Sequence, residues 1–146
     1  MKATFRLLAA VTIIVFGAAQ ADETGVDIFK ARRAALAEAL DGGVAVMYGA
    51  GGSNAVVNSG FIQESNFYYL TGISEPGAAL ILAPGEHRDK EILFLQPRNP
   101  EQEDWEGRRE PLGDALEEAT GFDNVMRTNR LPSYLTQILQ RSRKAV

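Results

Sequence analysis

The chain has 146 residues, 45% of them hydrophobic, and its 15 basic and 19 acidic side chains give a formal net charge of −4. This composition fits one globular domain and excludes a chain that is disordered throughout. The acidic balance excludes the basic surface that nucleic-acid binding needs, and the absence of cysteine excludes disulfide-stapled folds, thiolate metal sites and thiol catalysis.

Residues 1–21 have the pattern of a secretory signal peptide. Lys2 and Arg6 form a basic start, and the apolar run 7–16 is too short for a stable transmembrane anchor. The run ends in Ala-Gln-Ala, a small-x-small cleavage site, so we predict cleavage after Ala21. The mature chain, residues 22–146, is then expected to be exported to the periplasm or the cell exterior, with no membrane association. An uncleaved membrane anchor is the alternative interpretation.

The mature chain begins with a predicted amphipathic helix. Apolar residues recur at helical spacing between residues 28 and 40, Asp27 can cap the start of the helix, and Gly42-Gly43 is typical of its end. Arg32 and Arg33 are expected to lie on the solvated face of this helix.

A buried strand is predicted over residues 44–48, and a glycine-rich loop, residues 49–54, follows it. Such a loop after a strand can bind phosphate groups. Asn54 replaces the third glycine of the dinucleotide-binding pattern, however, and no helical pattern or lysine follows. A plain loop is therefore favoured, and a small-ligand or nucleotide-binding module remains an alternative.

The stretch 63–84 is predicted to form the centre of the fold. Two apolar runs, Phe67–Leu70 and Ala78–Leu82, flank a turn that is rich in glycine, serine and proline. Aromatic and branched residues favour strands, so we predict a strand–turn–strand unit in the middle of a sheet. The second run lacks polar alternation, which predicts a strand that is covered on both faces.

Hydrophobic patterns in the second half of the chain predict alternating strands and helices. A strand is expected over Ile92–Leu95, a helix over 113–120, a short strand over 124–126 and a final helix over 131–143.

Few side chains in this sequence point to chemistry. His87, the single histidine, lies in a charged turn and is expected to be solvated. Four carboxylates occur within residues 101–106, which is compatible with a cation site but is more typical of a solvated acidic loop. Asp114 and Glu118 are one helical turn apart and are expected to face water rather than to act as an acid–base pair.

One motif resembles a known family. Residues 65–76, read as S-N-F-Y-Y-L-T-G-I-S-E-P, resemble the S-D-F-x-Y-L-T-G-F-x-E-P signature of the N-terminal domain of Xaa-Pro aminopeptidases (aminopeptidase P, peptidase family M24B). Prolidase and creatinase share this domain more loosely. The R-R-x-x-L helix at 32–36 and the E-x-W-x-G-x-R element within 101–109 extend the resemblance over nearly the whole mature chain. Ile62 stands where the family usually has an arginine.

The resemblance implies an α/β fold with a mixed sheet of about five or six strands flanked by helices. It implies that residues 22–146 form the N-terminal domain, incomplete at its C-terminus. Enzymes of the family use two metal ions, usually manganese, held by two Asp, one His and two Glu in a separate C-terminal domain. The catalytic domain is expected to be absent, so we predict that this chain binds no metal and is inactive alone.

The resemblance also implies a role for Trp105, the single tryptophan. In oligomeric bacterial enzymes of the family the matching tryptophan lies near the substrate cleft of a neighbouring subunit, so Trp105 is expected to control substrate access in a homo-oligomer. Packing over the sheet is the other interpretation.

The predicted function is therefore that of the non-catalytic N-terminal domain of an exported Xaa-Pro aminopeptidase, which serves subunit contacts and substrate access. Its peptide substrates, with proline in second position, would be bound through the missing catalytic domain. A free-standing interaction or oligomerisation protein that has lost the enzyme, and the small-ligand module, are the alternatives.

Overall fold

A computed structural model describes residues 25–51, 61–106 and 108–141, without the side chains of Gln102, Trp105 and Glu106. The predicted signal peptide lies outside the described residues. The elements in chain order are α1 (Gly25–Ala39), β1 (Ala45–Tyr48), α2 (Ser65–Thr71), β2 (Ala79–Leu82), β3 (Glu91–Leu95), α3 (Pro100–Glu106), α4 (Asp114–Thr120), β4 (Val125–Arg127), a 3₁₀ turn (Thr128–Arg130) and α5 (Leu131–Arg141).

The strands form one mixed sheet in the order β1-β2-β3-β4. The pairs β1–β2 and β2–β3 are antiparallel, and β4 runs parallel to β3. Helices cover both faces, which confirms the predicted α/β class. Within the described residues none of the helices is long and apolar enough to cross a bilayer.

The two central strands are buried on both faces, which the lack of polar alternation predicts for β2. Leu80 and Leu93 point to the face that α1, α2 and α4 cover, where Phe67 also packs. Ile81 and Phe94 point to the other face, which α5 covers with Leu131 and Ile138. The core therefore has two layers, one on each side of the sheet.

The predicted strand over Phe67–Leu70 is wrong, because these residues lie in the helix α2. Glu64 caps this helix: its carboxylate accepts hydrogen bonds from the backbone N–H groups of Asn66, at 3.1 Å, and Phe67, at 2.6 Å. Gly72 ends the helix in the left-handed region, at φ 68°, and its N–H donates to the carbonyl of Tyr68.

The burial within α2 follows a helical period. Phe67 and Leu70, one turn apart, are buried, whereas Tyr68 and Tyr69 are 46% and 55% exposed. With this segment helical, the sheet of the described residues has four strands rather than the expected five or six.

The other predicted elements are present with small shifts in their bounds. The predicted buried strand is β1, the short strand is β4, and the final helix is α5. The turn predicted at the end of the first helix is confirmed, since Asp41 and Gly42 adopt left-handed φ angles of 46° and 79°.

Candidate functional site

The family-like motif lies at one end of the sheet. Strands β1, β3 and β4 end there, and β2 begins there. We call this end the motif rim. It consists of residues 49–51, 63–64, 73–78 and 96–98.

Gln63 holds three loops of the motif rim together. Its Oε1 accepts hydrogen bonds from the N–H of Ala50, at 2.6 Å, and of Glu64, at 2.9 Å. Its Nε2 donates to the carbonyls of Ile73, at 3.2 Å, and Glu75, at 3.0 Å. One side-chain amide therefore satisfies four backbone groups.

A second set of contacts joins the motif to β3 and β4. The Glu75 carboxylate accepts a hydrogen bond from the N–H of Gln96 at 2.7 Å, and Gln96 Nε2 donates to the carbonyl of Gly77 at 3.1 Å. Arg127, the last residue of β4, donates to the carbonyls of Gln96, at 2.9 Å, and Glu110, at 2.5 Å. These bonds tie the motif rim to two neighbouring strands.

The described part of the glycine-rich loop uses its backbone within the fold. The N–H of Gly49 donates to the carbonyl of Ala78 at 2.8 Å, and the N–H of Ala50 donates to Gln63. A Cβ at Gly49 would lie 2.8 Å from Gln63 Oε1, so the close approach that requires glycine is to a side chain of the protein. These two N–H groups therefore give no support to a phosphate cradle. Residues 52–54 lie outside the described residues.

The acidic segment 101–106 is a helix, α3, and the expected solvated loop is wrong at Glu103. This residue is 8% exposed, and both of its carboxylate oxygens accept from Arg98, through Nε and one terminal nitrogen, each at 3.0 Å. The hydrogen bond from Arg98 is the largest cause that lowers the pKa of Glu103 below its ordinary value, and Arg109 adds to it.

The alternative of a cation site in this acidic segment gains no support. Within the described residues there is no group of three or more His, Cys, Asp or Glu side chains that could hold a metal ion.

Trp105 lies in α3, two residues beyond Glu103. Its backbone therefore belongs to the helix that adjoins the motif rim, and its side chain is outside the described part of the chain. The proposed role in substrate access stays a prediction.

The predicted solvated face of α1 is wrong at Arg33. This arginine is fully buried, and its guanidinium donates to the Glu91 carboxylate at 2.7 Å, to the carbonyl of Leu70 at 3.1 Å and to that of Gly121 at 2.8 Å. It also lies over the ring of Phe122, 3.8 Å from the centroid. Sequence reasoning missed this residue because its partners are distant in sequence.

The neighbouring Arg32 is half-buried rather than fully solvated. Its guanidinium lies 4.1 Å from the ring centroid of Tyr69 and donates to the carbonyl of the same residue at 3.0 Å. This stack borders an open, mainly apolar groove of 790 Å³ between α1, α2 and β1, to which Ile28, Ala35 and Met47 contribute.

The remaining sequence candidates are exposed, as predicted. His87 is exposed in the turn between β2 and β3, and Asp114 and Glu118 are exposed on α4. None of the three has a geometry that suggests catalysis.

Residues 29–146 match the family described as aminopeptidase P, N-terminal domain. The chain belongs to this family. The N-terminal domain that the sequence motif suggested is therefore confirmed.

Relatives of this chain include Xaa-Pro aminopeptidases. The Escherichia coli (strain K12) enzyme is 34% identical over 116 residues, which cover 76% of this chain and 26% of the relative. The Haemophilus influenzae enzyme is 55% identical over 49 residues, which cover 34% of this chain and 11% of the relative.

Solved structures of aminopeptidase P share the fold. The Pseudomonas aeruginosa aminopeptidase PepP superposes with a TM-score of 0.72 at 27% identity, over 84% of this chain and 28% of that chain. Escherichia coli aminopeptidase P, solved with the inhibitor Pro-Leu, superposes with a TM-score of 0.66 at 33% identity. This match covers 80% of this chain and 27% of that chain. The match to this chain thus spans little more than a quarter of the length of these relatives.

Proposed function

We propose that this chain is the non-catalytic N-terminal domain of an exported Xaa-Pro aminopeptidase, in which it serves subunit contacts and substrate access. One observation carries the proposal: the family match extends over residues 29–146, whereas the aligned region is only 26% of the Escherichia coli enzyme. The catalytic centre then belongs to the part of such enzymes outside the match.

The described residues do not fit the metal centre of a peptidase. His87 is the single histidine of the sequence and is exposed in a turn, and the described residues lack a cluster of metal-binding side chains. A pair of manganese ions in the full enzyme would activate the attacking water and stabilise the developing charge. We assign no catalytic step to the described residues.

The motif rim suits a role as a fixed wall beside a cleft. Gln63, Glu75 and Gln96 satisfy the backbone groups of its loops from within the domain, so the rim needs no ligand to order it. A rigid wall that narrows a cleft admits short peptides, excludes folded ones and orders the bound chain. We propose that α3 presents Trp105 to peptides with proline in second position, in the cleft of a neighbouring subunit of a homo-oligomer.

A free-standing interaction protein is the second candidate, and the apolar groove favours it. Ile28 and Tyr69, which line the groove, are 37% and 55% exposed. Exposed apolar surface of this kind is common at protein contacts.

Activity in a chimera tests the proposal against this alternative. Residues 29–146 would replace the matched segment of the Escherichia coli enzyme, and the chimera and the purified chain would be assayed on an Xaa-Pro peptide with and without Mn²⁺. We expect manganese-dependent hydrolysis by the chimera and none by the chain alone. An inactive but folded chimera would favour the interaction protein, and turnover by the chain alone above its metal-free control would refute the non-catalytic role.

Export and assembly need separate measurements. Mass spectrometry of the chain expressed from its full coding sequence is expected to find a mature protein that begins at Asp22 in the exported fraction. Light scattering on that protein is expected to find an oligomer. A full-length cytoplasmic product or a monomer would contradict the corresponding part of the proposal.

A further inference from the structure

A charged contact joins α3 to the segment that precedes it. Among the α3 side chains that the structure describes, Glu103 is the buried one, and Pro100, Glu101 and Asp104 are exposed. A helix of seven residues is too short to be stable on its own, so its position depends on tertiary contacts.

Glu103 meets Arg98 in the geometry that is strongest for such a pair. The two hydrogen bonds are parallel and equal, at 3.0 Å each, and the Glu103 side chain is 6% exposed. Bidentate arginine–carboxylate pairs fix orientation as well as distance. Arg98 belongs to the motif rim, three residues after the end of β3.

A second arginine reinforces this contact from the other end of the helix. Arg109 donates to the carbonyl of Pro97 at 2.6 Å, and its backbone hydrogen bond and then its charge lower the pKa of Glu103. The backbone N–H of Glu103 donates to the carbonyl of Asn99 at 2.8 Å. Glu103 is thus bonded from the segment before α3 and influenced by the segment after it.

We propose that Glu103 is a positioning residue, whose ion pair with Arg98 latches α3 to the motif rim and sets the orientation of the helix that carries Trp105. The proposal rests on the proposed access function, since the orientation of α3 matters to peptide entry only if Trp105 does. The proposal adds to that function the contact that fixes the position of α3, the helix that carries Trp105.

Fluorescence can test the latch, because Trp105 is the single tryptophan and reports on α3 alone. Acrylamide quenching would be measured on the purified chain and on the variants Glu103→Gln and Arg98→Gln. Glu101→Gln is the matched control, since it removes the same charge from an exposed position of the same helix. Far-UV circular dichroism and urea unfolding would show whether each variant remains folded.

The latch predicts a quenching constant that rises by about twofold or more in Glu103→Gln and Arg98→Gln, because the released helix samples more open positions. Glu101→Gln should leave it unchanged. The charge swap Arg98→Glu with Glu103→Arg should lower the constant again relative to the single variants. Unchanged quenching in both single variants, or an equal rise in Glu101→Gln, would overturn the proposal.

The wild-type chain provides a test that does not depend on how well a variant folds. Arg98 and Arg109 face Glu103, and both favour its charged form. The latch is then intact at neutral pH and opens as the pH falls below the ordinary carboxylate range. Quenching should rise over that acid range in wild type while the circular dichroism is still native; a flat profile would overturn the latch. This readout needs no peptidase activity, so its failure is distinct from failure of the chimera.

Discussion

Arg33 on α1 and Glu91 at the start of β3 form an ion pair, with Nε and Oε2 2.7 Å apart. The arginine side chain is fully buried and that of Glu91 is 25% exposed. The same guanidinium donates to the carbonyl of Leu70, in the last turn of α2, and to the carbonyl of Gly121, directly after α4. One side chain thus connects three helices and a strand, on the face of the sheet opposite α5.

Replacement of Arg33 by methionine is expected to destabilise the domain by about 3–5 kcal/mol. The change leaves the partly exposed carboxylate of Glu91 and the carbonyls of Leu70 and Gly121 without their donor. Arg33→Lys keeps the charge but loses the planar set of donors, so an intermediate loss is expected. Urea unfolding measures both, with Arg130→Met, at an exposed position, as the control. A loss for Arg33→Met no larger than for this control would contradict the account.

Gly72→Ala should destabilise the domain more than Gly42→Ala. Both glycines have left-handed φ angles, 68° and 79°, so both substitutions incur strain of about 1–2 kcal/mol. A Cβ at Gly72 would also lie 2.2 Å from the Phe29 ring, whereas nothing lies within 4 Å at Gly42. Overpacking adds about 1–3 kcal/mol. Equal melting temperatures for the two variants would show that the Phe29 contact is not close.

Glu64→Gln should flatten the acid limb of the stability curve. The backbone N–H of Phe67, and then that of Asn66, holds the pKa of Glu64 below its ordinary value of 4.5. A carboxylate whose pKa is lower in the folded state than in the unfolded state stabilises the fold. This stability is present when the pH is above the unfolded-state pKa and is lost as the pH falls through the folded-state pKa. Below pH 4.5, the melting temperature should therefore fall less steeply with decreasing pH in Glu64→Gln than in wild type or in the exposed control Glu38→Gln. An unchanged slope would contradict the cap.

Tyr134 should titrate well above the ordinary tyrosine range. Burial, and then its hydrogen bond to Asp89, raises the pKa of Tyr134 to about 12. The pKa of Tyr134 is raised in the folded state, so this tyrosine contributes stability. The contribution is complete when the pH is below the ordinary pKa of 10 and is lost as the pH rises towards about 12. Ultraviolet titration should show a late transition that is absent in Tyr134→Phe. A late transition that persists in Tyr134→Phe would show that the transition does not belong to Tyr134.

The sheet and its coverage could be predicted from the sequence because hydrophobic pattern decides them. An uninterrupted apolar run predicted that β2 is covered on both faces, and helical spacing predicted α1 and α5. The family match confirms the resemblance that the S-N-F-Y-Y-L-T-G motif suggested.

Helix α2 was mistaken for a strand because its run of aromatic residues is too short to show a period. Its end signals were present in the sequence: Glu64 precedes it as a cap, and Gly72 follows it.

The buried arginine was hidden for a different reason. Arg33 lies on the apolar face of α1, four residues after Phe29 and three before Leu36, and this placement was the available signal. Its partners Glu91 and Gly121 are 58 and 88 residues away, so local spacing could not reveal them. Glu103 was likewise missed, since its burial depends on how α3 docks.

The kinetics of Trp105→Ala in the Escherichia coli chimera test the central claim, substrate access, most directly. Phe29→Leu, on α1, would serve as the matched control for the loss of an aromatic ring. If Trp105 lines the entry to a catalytic cleft, the variant should raise KM for an Xaa-Pro peptide by about tenfold, equivalent to about 1.4 kcal/mol, with kcat little changed. A KM equal to that of the parent chimera would contradict an access role for this domain.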